Sequence, residues 1–291
     1  MKSGSRSQFF DRFFFYLFFA AAVLVAGVVL AIVALVSKQG LQTFAAIGPL
    51  EFHFSTNWAP PERFGALSFI VGSLAVTFLA ILFGGPLGLA GAIFMAKVAP
   101  HQVRKVMRPA TDLFVGIPSV VYGFIGLSVL KQVIQRIFGG SGFGLLLAGF
   151  ILGIMILPTV ISVSEDAIRS VPRRLEMASY ALGATRWQTI YRVLIPAALP
   201  GIVTAFILAM ARAIGETMAV AMLIGNAPQL PKTLFTPTAT LTTEIVLEMG
   251  NTPFGSPWNN ALFYMAFILL AISLGMILLI RLVVQRMVAA E

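Results

Sequence analysis

The 291-residue chain contains no cysteine, which excludes disulfides, thiol catalysis and zinc sites built on thiolates. Histidine is almost as scarce. His53 and His101 fall in different predicted loops and cannot form a ligand cluster alone, so no metal site is expected. Charged residues make up 11% of the chain, whereas globular domains carry about 25%. So few charges cannot cover a water-soluble sphere. The chain also lacks a Gly-x-x-x-x-Gly-Lys-Ser/Thr loop, so it has no phosphate cradle of that kind for a nucleotide. Neither a catalytic group nor a cofactor of its own is expected.

What fills the chain instead is apolar. Hydrophobic residues reach 58% and mean hydropathy is +0.94, which marks a polytopic membrane protein. The net charge of +9 does not point to nucleic acid, because the bases are scattered over short loops rather than gathered on one face among aromatics. Apolar runs predict six membrane helices at about 13–36, 68–96, 110–131, 143–164, 199–223 and 261–282. The first run is too long for a signal-peptide core and is read as a retained helix. Residues 1–12 form a polar, basic tail, and 285–291 a second one. Between helices one and two, Glu51-Phe52-His53-Phe54-Ser55 alternates as either a strand or a membrane-surface segment would.

Several local expectations follow. Gly84, Gly88, Ala92 and Ala96 recur every fourth residue and stack on one face, a seam for close helix packing. Gly85-Pro86 should kink or loosen the same helix. Residues 97–109 read as a short basic loop, and Asp112 as a carboxylate at the start of helix three, where the helix dipole favours it. Leu241, Ile245, Val246 and Met249 have the spacing of a short amphipathic helix inside the proline-rich stretch 224–260.

Lysine and arginine sort to the two sides of a six-helix topology as fourteen against five, with Arg212 left in the membrane. The excess places both termini and the segment 165–197 in the cytoplasm. That segment is too polar to span and too long for a tight turn. It reads as a helix over Arg174–Ile190, turned at Gly183, with Pro196 restarting the span. Its Leu, Tyr and Trp suit either a docking knuckle or an amphipathic piece lying on the membrane surface.

Helix five carries the costliest residues. Arg212 and Glu216 are four apart, which in a continuous helix puts them on one face within reach of each other. Arg212 lies about 13 residues into the predicted helix, or roughly 20 Å at 1.5 Å per residue. A charge near the bilayer centre costs roughly 3 kcal/mol on insertion scales, so such residues usually serve a function. A guanidinium there offers several fixed donors to an oxyanion and keeps its proton. A purely structural pair, neutralising itself or holding neighbouring helices, is the competing reading.

Two sets of residues resemble known permeases. The run Glu176-Met177-Ala178-Ser179-Tyr180-Ala181-Leu182-Gly183, followed by Val193-Leu194-Ile195-Pro196, is similar to the signature of ABC importer permease subunits: Glu-Ala-Ala, three residues, Gly, nine residues, Ile-x-Leu-Pro. Met177 stands where that signature has its acid, one residue after Glu176. The second set is Ala211-Arg212-Ala213-Ile214-Gly215-Glu216-Thr217-Met218-Ala219-Val220 with Gly225-Asn226. With Gly116-Ile117-Pro118-Ser119 and Leu234-Phe235, it resembles the phosphate-specific importers, in the PstC rather than the PstA type.

The resemblance implies an all-α, MetI-like type I importer permease in a bacterial inner membrane, with a first helix and periplasmic loop over 13–67. A permease core over 68–284 would contain the coupling segment 165–197. It implies a substrate path through Arg212, Glu216, Thr217 and Asn226. ATPase coupling would use Arg173, Arg174, Glu176, Ala178, Gly183, Thr185, Arg186 and Trp187, and a twist of the helix would bring Glu176 to the acidic contact. Implied partners are a second permease, two ATPase subunits that hold ATP and Mg²⁺, and a periplasmic phosphate-binding protein. Sulfate, molybdate or phosphonate would suit one arginine equally well. An ion-coupled secondary transporter would need internal repeats and midplane carboxylates, and the sequence offers neither. A membrane scaffold would leave the buried arginine unexplained.

Overall fold

In the computed structural model, which describes residues 4–289, apolar runs become helices because only internal hydrogen bonds can satisfy a backbone in lipid. The first, α1 (Gly4–Leu41), already begins within the stretch expected to be a tail. The expectations for residues 1–3 and 290–291 lie outside the described residues. Then come α2 (Pro49–Phe54) and a two-stranded hairpin, β1 (Trp58–Ala59) with β2 (Arg63–Phe64). The alternating piece at 51–55 is thus mostly helical, started by Pro49 in the first turn, where its missing N–H costs nothing.

The long helix α3 (Leu67–Ile93) continues through a π-helical turn to Val98 and is helical across Gly85-Pro86. The basic loop expected at 97–109 is instead mostly helix, in α4 (His101–Val115). Asp112 therefore sits well inside a helix and not at its start, and the dipole role assigned to it is wrong. After a break at Gly116-Ile117-Pro118, α5 (Ser119–Ile125), a π-helical turn and α6 (Lys131–Phe138) complete the third membrane passage. The fourth passage is α7 (Leu145–Ser170), which takes Glu165, Asp166 and Arg169 out of the expected loop and into its last turns.

Next, α8 (Arg173–Ala181) and α9 (Arg186–Thr189) form a helix–turn–helix knuckle. From α9 the chain stays helical through a π-helical turn into α10 (Ile195–Ile214), so Pro196 lies within one long passage and does not restart it. A second break, Gly215-Glu216-Thr217, precedes α11 (Met218–Leu223). The amphipathic helix expected in 224–260 is α12 (Leu241–Glu248), and α13 (Pro257–Ala289) makes the sixth passage. Six helical stretches among the described residues are long and apolar enough to cross a membrane, as expected.

The centre is the α3–α7 pair, and glycine explains how close the two come. A methyl on Gly84 would stand 2.5 Å from the Gly153 carbonyl, and one on Gly88 2.7 Å from the Val160 side chain. The four-residue seam is real. Around it, α5, α10 and α11 complete one core containing Leu152, Ile156, Ala209 and Leu223. A second core joins the hairpin, α12 and α13 through Trp58, Phe69, Leu241 and Met265. A third, at the knuckle end, packs Ile168, Ile190 and Leu194.

Candidate functional site

Two broken helices meet beside the main core, since α5 and α11 both begin just after a break and pack on one another. Each break leaves helix-end groups without intrahelical partners. The pair expected to meet inside one helix is divided between two of these ends.

Arg212 lies in the last turn of α10, where a cation faces the negative end of the helix dipole. Its guanidinium donates one hydrogen bond, 3.4 Å, to Thr159 Oγ1 of α7, and no carboxylate among the described residues forms an ion pair with it. Glu216 turns the other way: its Oε1 accepts from the Ala219 N–H at 3.2 Å and caps the first turn of α11. The expected contact is absent because α10 stops at Ile214, so the four-residue register no longer applies. Both side chains are half-buried. Tyr122 of α5 lies within electrostatic range of Arg212 and donates to the Phe114 carbonyl at 3.0 Å, bridging the first break.

Thr217 is the residue before α11, and its hydroxyl donates to the Gly215 carbonyl at 3.3 Å. Asn226 sits past the other end of α11. It adopts a left-handed φ of 48°, and its Nδ2 donates to the Ala221 carbonyl at 2.7 Å, while its buried Oδ1 has no partner. Asn226 closes the C-terminal end of α11, and no hydrogen bond among the described residues joins it to Arg212. The break is braced from outside by α12, whose Thr242 hydroxyl donates to the Glu216 carbonyl at 3.3 Å.

That brace carries a feature sequence reading missed. Glu244 is 5% exposed, and burial raises its carboxyl to about 8, with Glu248 one turn on adding to the effect. Glu248 accepts from the Trp58 indole at 3.2 Å and from the Trp258 indole at 2.7 Å. Two acids four residues apart and no base nearby were the available signal.

The knuckle presents apolar surface outward. Leu182 is 89% exposed, Met177 65% and Trp187 61%. Gly183 makes the turn with φ 79°, a conformation that favours glycine. Thr185 caps α9 and exchanges hydrogen bonds with Gln188. A buried contact between the Ser179 and Thr189 hydroxyls, 2.9 Å, clamps α8 to α9. Arg173, Arg174 and Ala178 are exposed. Glu176 does not swing to the position of Met177: it turns inward and pairs with Lys97 at 2.7 Å. Arg186 donates to the Lys97 carbonyl, so one lysine joins both halves of the knuckle to the end of α3. Among the described residues, no three His, Asp or Glu stand close enough together to hold a metal ion.

Residues 88–289 match the family described as binding-protein-dependent transport system inner membrane component. The chain is 50% identical to the probable ABC transporter permease protein YqgH of Bacillus subtilis, over 90% of this chain and 87% of that one. It is 32% identical to the phosphate transport system permease protein PstC of Xylella fastidiosa, over 96% and 92%. Among solved structures it resembles a bacterial alginate ABC transporter in complex with an alginate pentasaccharide-bound periplasmic protein. The TM-score is 0.66 at 20% identity, covering 94% of this chain and 95% of that one. That last comparison speaks for the fold alone.

Proposed function

The chain belongs to the family of binding-protein-dependent transport system inner membrane components, and on that premise we propose that it forms half of a membrane path for inorganic phosphate. It is a multi-pass ABC importer permease with the MetI-like fold. The other half of the path is a second permease of the PstA type. Two ATPase subunits bind and hydrolyse ATP with Mg²⁺, and a periplasmic phosphate-binding protein delivers the anion. Both termini face the cytoplasm.

One observation carries the substrate reading. A half-buried guanidinium at a helix break inside the bundle spends one hydrogen bond on a threonine and none on a carboxylate. Arginine has five N–H donors, so most remain for an oxyanion. The names of the relatives support phosphate as that anion. Glu216, whose carboxylate is engaged with α11, shapes the break without neutralising Arg212. Affinity at such a site stays modest, because conduction requires release as well as entry.

Coupling enters through the knuckle. Leu182, Met177 and Trp187 supply an apolar contact for the ATPase, and Arg173 and Arg174 supply charge. The chain is helical from Arg186 to Ile214, so movement of the knuckle is passed along some 26 residues, about 39 Å, to Arg212. This is about twice the distance that the predicted helix start implied. In the reconstituted importer, uptake of radiolabelled phosphate should be competed by unlabelled phosphate and unaffected by equal sulfate. Equal competition by sulfate would overturn the phosphate assignment.

A further inference from the structure

The start of α4 holds a second basic site, on different residues from the Arg212 break. A concavity of about 420 Å³ is lined by His101, Arg104, Lys105, Arg108 and Asp112 of α4 and by Arg169 of α7. Two of its cations are already engaged. Arg108 donates to Asp166 at 2.9 Å, and Arg169 forms an ion pair with the buried Glu165 at 3.1 Å. Arg104 and Lys105 form no ion pair among the described residues, and the Arg104 Nε is buried without a hydrogen-bond partner.

The placement of these cations runs against helix electrostatics. The first turn of a helix favours acids, yet α4 has none there, no side chain caps it, and His101, Arg104 and Lys105 crowd its start. Uncommitted N–H donors, two unpaired cations and the positive end of a dipole all suit an anion from outside the chain. The volume exceeds what a bare ion needs. Val106 and Leu113 are strongly exposed apolar side chains elsewhere on α4, outside the lining of the concavity.

We propose that this α4–α7 concavity binds a phosphate group, held by Arg104 and Lys105. The group is supplied by an anionic phospholipid headgroup or by free inorganic phosphate. The first source would anchor α4 at the membrane surface. The second rests on the phosphate reading above and would make the concavity a product-side site next to the coupling knuckle.

The test uses the assembled importer carrying Arg104→Gln with Lys105→Gln. One arm measures retention of phosphatidylglycerol against phosphatidylcholine by native mass spectrometry. The other titrates inorganic phosphate calorimetrically in an Arg212→Ala background, which removes the transport contact. Losing two cations should weaken the true ligand by on the order of tenfold or more. Arg104→Lys with Lys105→Arg should retain it. Loss confined to phosphatidylglycerol identifies the headgroup, and loss of inorganic phosphate binding identifies the free anion. Unchanged binding in both arms would overturn the proposal. So would equal loss in the charge-conserving variant, or a defect limited to ATPase retention, which would make the concavity a docking face. Failure of the phosphate reading would show instead as sulfate competition in uptake, with the phospholipid arm unaffected.

Discussion

Replacing Arg212 with alanine separates the two readings of the residue most sharply. If Arg212 and Glu216 were a buried pair, removing the arginine would strand a carboxylate at a cost of about 3–5 kcal/mol and damage the fold. Glu216→Gln would then rescue it. In the structure Glu216 is satisfied by the Ala219 N–H, and the partner Arg212 leaves behind is the Thr159 hydroxyl. Thr159 loses only one long accepted bond of 3.4 Å and its own O–H is still free to donate, so the loss to folding is small, with a dipole contribution of about 0.3–1 kcal/mol.

Transport should respond far more strongly. Each hydrogen bond from a charged donor contributes about 1.5–3 kcal/mol. Two such bonds to phosphate, at the lower value, correspond to about a hundredfold loss of uptake. Arg212→Lys keeps the charge but loses the planar fork, and should fall between the native chain and Arg212→Ala. The assay is ATP-driven uptake of radiolabelled phosphate in proteoliposomes, paired with thermal unfolding of the purified complex. Uptake by Arg212→Ala within twofold of native would refute the substrate contact. Rescue by Glu216→Gln in the double variant would refute the geometry.

Other outcomes follow from the same contacts. Gly183→Val places a β-branched side chain at φ 79°, where a methyl group itself meets nothing within 4 Å. Backbone strain alone, about 1–2 kcal/mol, should therefore distort the knuckle and lower ATPase co-purification, with Gly183→Asn milder. Glu244 has its carboxyl raised from 4.5 to about 8 in the fold, so the folded state holds this proton more tightly than the unfolded one. Its stabilisation is complete below pH 4.5 and is lost as pH rises towards 8. Glu244→Gln should flatten that decline in a thermal-unfolding series across pH 5–8; an unchanged slope would remove Glu244 as its cause. Gly84→Val would drive a side chain into the Gly153 carbonyl and Ile156, costing about 1–3 kcal/mol or more, seen as a lower unfolding temperature of the complex. Lys97→Met should free Glu176 and loosen the knuckle, measured as faster hydrogen exchange over 173–189.

Much of this protein was determined by the sequence alone. Six passages, the α3 seam, α12 and the knuckle are local consequences of apolar length, small-residue spacing and turn residues, each readable along one segment. The departures arise where helices stop or where partners come from distant segments. Arg212 and Glu216 share a face only while a helix continues. Whether it does depended on Gly215, and on α7 and α12 supplying Thr159 and Thr242 to the two sides of the break. Glu176 turns inward because Lys97, 79 residues away, is there to receive it. Most of the basic loop expected at 97–109 lies in α4, which packs on α7 and sets Arg108 beside Glu165 and Asp166, a placement that only the distant segment supplies. Periodicity along a chain reports which residues can share a face. Tertiary packing alone decided which helix ends needed a charge, and so left the Arg212 guanidinium unpaired by any carboxylate in the fold.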